Sequence, residues 1–458
     1  MKGKAMTASW EQYGWGPWSA DEDIPHDVPD EATLTGRGLP GTLKPVKGDG
    51  VTQSAVFDPS MKHHARAVRP SEPRFADATT GERWYGARRI ALDHVLAAVA
   101  GGEWAAHLVL RGSVLLRARY GQAAREPGDV DFVVTPATWQ ATDARTERML
   151  TGIARAAEEL SLRGGPVRFD ARGAVSDEIW TYDRVPGRRV VIPWTADGLP
   201  GGTVQVDFVF NEPLPVPAVP TSLPRPDGAG EPLTLLAATP GLSLAWKVLW
   251  LLSDMYPQGK DLYDALLLAE DTSTALPFDL LRTVFVSADG YYDRNPVLPK
   301  TVASCGSHAD WYEFAKDCPH LAGAPGRPGD GPPADLVRRL TAALAPTFAL
   351  DDGSGEPPAY QLRVAWLATT MAPFREALRT GGMDGLQEVL MTRYHHAAQA
   401  IVITRELLGR EACDIARAAG IVAEYRASDR HPRADDLRDL LGDAGTAAAE
   451  LSGRSLSG

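Results

Sequence analysis

The sequence predicts an α+β fold, a mixed-sheet core followed by a helical C-terminal region, and three observations predict it. Thr203 to Phe210 alternates, with Val204, Val206, Phe208 and Phe210 on one face and Gln205 and Asp207 on the other, the period of a half-buried strand. Residues 81–100 instead keep an apolar stripe at helical spacing through Leu92, Val95, Leu96 and Val99. Beyond a proline-dense stretch at 211–232, helical patterns take over.

Residues 1–75 are rich in Gly, Pro and polar side chains without sustained periodicity, so an extended, weakly structured segment is expected there. Trp10, Trp15 and Trp18, interleaved with Tyr13, are either a docking segment or a partly ordered tail whose aromatics cover local surface. Residues 76–232 form the expected α/β core. Its first helix stops at Gly101-Gly102. A strand over 107–111 leads into Gly112-Ser113, a Leu- and Arg-rich helix runs to Tyr120, and the loop 121–128 delivers a second strand over 130–134. A helix over 144–162 and short strands near 167–169, 179–182 and 189–192 precede the strand at 203–210, and the prolines of 211–232 read as a stiff connector. Residues 233–427 are expected to be a mostly helical domain that completes the cleft, with helices over 242–255, 261–270, 334–345, 360–378 and 386–408. Residues 428–458 read as a frayed, polar tail.

A chain of 458 residues is long enough for two or three domains. Its formal charge of -12 excludes indiscriminate binding along nucleic-acid backbones. One local cationic cleft is still compatible with it: Arg111, Arg117, Arg119 and Arg125 crowd one region, either as such a cleft or as solvated arginines on a helix. No apolar run approaches the ~20 residues of a membrane span, and the start lacks the apolar stretch of a secretory signal. Cys305, Cys318 and Cys413 have no metal-like spacing, so a reducing cytoplasm is expected. Nine of the 47 basic residues are lysines and five of those fall within the first 62 residues; a lysine elsewhere marks a place that wants a compact ammonium. Lys247 and Lys260 are selected on that ground.

Asp129 and Asp131, in Gly-Asp-Val-Asp-Phe-Val-Val, project from one face of a strand while Val130, Phe132 and Val134 point into the core. Two adjacent acids repel unless cations sit between them, and Mg²⁺ held by carboxylates and substrate phosphates is the usual solution in phosphoryl transfer. Gly112-Ser113 at a strand-to-helix turn offers a phosphate close approach, a hydroxyl and backbone N–H groups. Asp207 supplies a third carboxylate on another strand. His63-His64 and His395-His396 are not chelating pairs, since neighbours on a helix point about 100° apart, and Cys413 reads as a small buried hydrophobe.

Gly112, Ser113, Asp129, Asp131 and Asp207 together resemble the DNA-polymerase-β-type nucleotidyltransferase superfamily, although the gap before Asp129 is slightly longer than is common there. Leu244-Ala245-Trp246-Lys247 followed by Gly259-Lys260-Asp261-Leu262-Tyr263-Asp264 is similar to the helical signature of AbiEii/AbiGii-type toxin nucleotidyltransferases. The two resemblances cover about residues 85–270.

They imply a nucleotidyltransferase core that moves a nucleotide from an NTP to an acceptor, the acceptor end of a tRNA or a protein, as the toxin of a toxin–antitoxin or abortive-infection pair with an antitoxin from a neighbouring gene. On that footing Asp129, Asp131 and Asp207 are the expected ligands of two Mg²⁺ ions, Asp207 also taking up the acceptor's proton. Gly112, Ser113, Lys247 and Lys260 are expected to bind nucleotide, with Lys247 neutralising phosphate charge. Asp264 orients Lys247 or the acceptor. Asp261 does the same or only caps its helix, and Lys247 has the alternatives of snorkelling or of pairing with Asp254. Two other readings stand: a small-molecule nucleotidyltransferase of the aminoglycoside-modifying kind, and a catalytically inactive nucleotide-binding module. A macromolecular acceptor calls for an open basic groove, to which Arg111, Arg117, Arg125, Arg188 and Arg189 are candidates, and an inactive module predicts carboxylates that do not converge.

Overall fold

The alternating segments form one mixed, eight-stranded sheet, ordered Val219–Leu223, Leu233–Ala237, Leu108–Arg111, Asp129–Val134, Gly202–Val209, Val185–Ala196 and Val167–Phe169, with Val175–Thr181 also pairing Val185–Ala196. The computed structural model describes residues 9–10, 22–181, 184–226, 228, 230–304, 308–323, 327, 331–393, 395–428 and 441–453. Tyr13, Trp15, Trp18 and Cys305 lie outside the described residues.

One face of the sheet is apolar because every second residue is. Val130, Phe132, Val134, Val204, Val206, Phe208 and Phe210 pack beneath helices Ala78–Ala100 and Ala144–Leu162, which bury Trp84, Leu92, Val95, Met149 and Ile153 against them. Phe132 and Phe208, in register on parallel strands, stack with centroids 5.8 Å apart. The other face carries the polar residues and is the one that matters below.

The stretch read as a stiff connector contains a strand: Val219–Leu223 pairs antiparallel with Leu233–Ala237 at the sheet's edge. Pro220 is tolerated because an edge strand need not donate on both sides. Residues 22–75 also differ from expectation. They hold helix Glu31–Arg37, four short strands and a small cluster of Ile24, Leu39 and Leu43, and point contacts tie them to the sheet. Thr42 donates its N–H and its hydroxyl to Asp177, each at 2.7 Å, and Met61 packs on Ile179.

The chain divides into two units, 1–271 with 305–336 and 272–304 with 337–458. Helices Pro240–Ser253 and Gly259–Glu270 fall in the first, with the sheet. The second is helical around Tyr360, Phe374, Leu386, Ile401 and Val422. The helix expected over 360–378 is interrupted at 368–371, and Ala372–Thr392 is itself broken at Gly382, where φ is +63°. Contrary to the expectation of a frayed tail, Ala444–Leu451 is a helix with Ala447 and Leu451 buried in that core. No described helix is long and apolar enough to cross a membrane.

Candidate functional site

Register brings the acids together. Asp131 pairs with Asp207 on the neighbouring parallel strand, Arg111 pairs with Asp131 on one side, and Arg189 pairs with Asp207 on the other. Cross-strand partners share a face, so Arg111, Asp131, Asp207 and Arg189 form a row across four strands with charges plus, minus, minus, plus. Asp129, one pleat along from Asp131, completes a group in which ligand oxygens of Asp129, Asp131 and Asp207 all lie within 4.8 Å of one another.

Each end of the row is anchored. Arg111 is buried, donates to Glu212 at 2.6 Å and lies over the rings of Trp246 and Trp250. Arg189 forks onto both oxygens of Asp207 at 2.8 Å and donates to Asp58 at 2.5 Å and to Ser60 at 3.2 Å. Asp58 belongs to the segment expected to be weakly structured. There it caps the turn Pro59–Met61 through Ser60 N–H, and the Asp58-Pro59-Ser60 sequence is a helix-start signal that could have been read. Burial alone would raise Asp58, but Arg189 outweighs it and leaves the carboxyl well below its ordinary value.

The acids of the site are not equivalent. Burial, then the charges of Asp129 and Asp207, push Asp131 up to about 7. Burial also raises Asp207, against the pull of Arg189. Burial acts the same way on Asp129, yet Lys260, Arg125, Arg189 and Arg69 overcome it and hold this carboxyl below its usual value. The divergence of like groups so close together is the signature of a carboxylate cluster short of positive charge at one member. The donors are all oxygens, the ligand type preferred by Mg²⁺. The fork of Arg189 takes two of the roughly four lone-pair positions on Asp207, so that carboxylate still has capacity for a cation.

Gly112 sits at φ +79°, and a Cβ there would meet Asp131 Oδ2 at 2.1 Å, so a side chain fits only if Asp131 moves. Ser113 opens the helix Ser113–Tyr120 and places its Oγ 3.3 Å from Asp129. Lys247, on the apolar helix Pro240–Ser253, neither snorkels nor pairs with Asp254. Its ammonium is buried between Asp261 at 2.7 Å and Asp264 at 2.8 Å. Burial opposes the lysine's charge and the two carboxylates more than restore it, leaving its pKa raised. Asp261 lies in the first turn of Gly259–Glu270 with its carboxylate on Lys247, while Gln258 occupies the cap position. Lys260 lines the cleft and forms no ion pair among the described residues.

The cleft encloses about 640 Å³ and is lined by the three acids, Gly112, Lys247 and Lys260. Arg111, Arg125 and Arg189 line it too, as does Arg69 from the N-terminal segment, which the sequence did not single out. Arg125 also reaches Asp264 Oδ2 at 3.4 Å. Two of the arginines named for a groove are elsewhere: Arg188 pairs with Glu147 of the helix on the opposite face, and Arg117 donates to the carbonyl of Ala124.

A family model described as nucleotidyl transferase AbiEii toxin, type IV TA system, matches residues 94–336, a span that contains the three acids, Lys247 and Lys260 and leaves Asp58 and Arg69 outside. Among solved structures, MenT4, a nucleotidyltransferase toxin from Mycobacterium tuberculosis H37Rv, is similar at 18% identity with a TM-score of 0.35, over 58% of this chain and 84% of that one. No curated protein matches the chain.

Proposed function

This chain belongs to the AbiEii family of nucleotidyl transferase toxins of type IV toxin–antitoxin systems, and from that premise we propose that it moves a nucleotide from an NTP to the acceptor end of a tRNA or to a protein. The observation that carries this reading is the convergence of Asp129, Asp131 and Asp207 within 4.8 Å beside the Gly112-Ser113 turn. Two Mg²⁺ ions, held by Asp129, Asp131 and Asp207, would supply charge neutralisation on the triphosphate and activation of the acceptor hydroxyl.

The chain's own residues do the rest. The N–H groups at the start of Ser113–Tyr120 receive the triphosphate, and Lys260 adds a compact positive charge. The acceptor oxygen bonds to the α-phosphorus as the bond to pyrophosphate breaks, and its proton passes to Asp207. Lys247 and Asp264 complete the proposed catalytic set by fixing the helix that presents Lys260. A cognate antitoxin and a cytoplasmic setting belong to the same proposal.

The test is incubation with each labelled NTP, Mg²⁺ and cell extract or total tRNA. Label is expected in RNA or protein, and Asp129→Ala, Asp131→Ala or Lys247→Ala should each abolish it. Label that persists in Asp131→Ala overturns the metal-site assignment. Label confined to small molecules moves the reading to the aminoglycoside-modifying kind.

A further inference from the structure

The helical unit has a cleft of its own, of about 370 Å³, walled by Arg294, Thr370, Phe374, Arg393 and His395, with Asp293 at its rim. Its most telling group is His395. The residue is only 4% exposed, its N–H donates to the carbonyl of Leu390, its carbonyl accepts from Arg426, and its ring stands edge-on to Phe374 with centroids 5.1 Å apart. Held this firmly, its buried Nδ1 nevertheless has no hydrogen-bond partner among the described residues. A buried polar nitrogen left unmatched is unfavourable, and a bound group that reached it would relieve this.

The surroundings say which kind of group. Arg294 follows the turn Gly290–Asp293, Arg393 caps Ala372–Thr392, and neither forms an ion pair among the described residues. Arg393 reaches over the Phe374 ring, 5.9 Å from its centroid. Burial, then the fields of Arg294 and Arg393, push His395 down to about 4, so the imidazole is neutral near neutral pH. The one facing carboxylate, Asp293, also acts on Arg282. Phe374 lies in the first turn of Ala372–Thr392, and His395 lies just ahead of Ala397–Leu408. Two guanidinium forks and an imidazole from separate segments line one cleft. A tetrahedral oxyanion uses such an array more fully than a flat carboxylate does.

We propose that this cleft is a phosphate-binding site. Its residues all belong to the helical unit, and the proposal holds whether or not the transfer reading does. The phosphate belongs either to an RNA backbone or to a free phosphorylated small molecule, and the two sources are separable.

The full chain carrying ¹⁵N-histidine is titrated by NMR with inorganic phosphate and, in a second arm, with a short 5′-phosphorylated single-stranded RNA. His395→Phe assigns the resonance. A saturable shift of the His395 ring nitrogens is expected, weakened at least about tenfold in Arg294→Gln/Arg393→Gln, whose side chains are not in the core. Arg393→Glu, a single charge reversal on an exposed side chain, repeats the test should the double variant unfold. Saturation by the RNA at lower concentration assigns the phosphate to nucleic acid, and saturation by inorganic phosphate alone assigns it to a small molecule. A silent His395 in both arms, or an unchanged titration in the arginine variants, overturns the proposal.

Discussion

Replacing Arg189 tests whether the cross-strand charge row organises the acids. Its guanidinium holds both oxygens of Asp207 at 2.8 Å and Asp58 at 2.5 Å, with all three side chains buried. Arg189→Met strands two carboxylates in the interior. Breaking a buried ionic network from one side costs about 3–5 kcal/mol, against a total stability of only about 5–15 kcal/mol. At about 2–4 °C per kcal/mol, the melting temperature of the sheet-bearing unit should fall by roughly 6–20 °C. Arg189→Lys separates folding from function, because it keeps a charge but not the planar fork that sets the angle of Asp207. Its stability should stay close to the parent's, while nucleotide transfer drops about 10–100-fold, the usual effect of losing a ligand's orienting partner. Circular dichroism melts and incorporation of labelled NTP read the two effects. A lysine variant that transfers at the parent rate, or a methionine variant that melts within about 2 °C of the parent, refutes the reasoning.

Lys247→Met should lower stability by about 3–5 kcal/mol in urea unfolding, since Asp261 and Asp264 lose their shared cation, and adding Asp264→Leu should restore part of it; a single variant as stable as the parent would contradict the ion-pair account. Gly112→Ala should fold yet transfer about 10²-fold more slowly, because the new Cβ displaces Asp131 from its place. pH enters through Asp131, whose folded value of about 7 exceeds the ordinary 3.8. In that window the native state binds the extra proton, so without divalent cations stability should decline as pH rises through it and be fully reduced above about 7. Mg²⁺ competes with that proton, and the rise in melting temperature it produces should be larger at about pH 8 than at about pH 6; equal shifts would argue that Asp131 is not a ligand.

What the sequence could and could not reveal divides along physical lines. The strand at 203–210 and the helix at 144–162 were legible because each buries one face against the same core, and that leaves a period in the residues. That Asp207 faces away from the apolar side followed from parity within its strand; that it lies beside Asp131 depends on pairing register, which no local pattern encodes. Asp58 and Arg69 were missed because their segment is fastened by single contacts across more than a hundred residues rather than by a repeating face. Lys247 stood out by its rarity and Asp264 was a candidate partner through the resemblance, but that Asp261 shares the ammonium depends on how the two helices pack. The prolines of 219–224 pointed away from a central strand, and an edge strand is what they allow.

The arginines flanking Asp131 and Asp207 have one more consequence. Because Arg111 and Arg189 offset part of the cleft-facing negative charge within the protein itself, with a proton on Asp131 covering more of it below about pH 7, the acids can sit together without a bound cation. On the proposed function, the ion would then be needed for turnover rather than for assembling the acids. The scaffold of the proposed chemistry would thus be complete before ion and nucleotide bind.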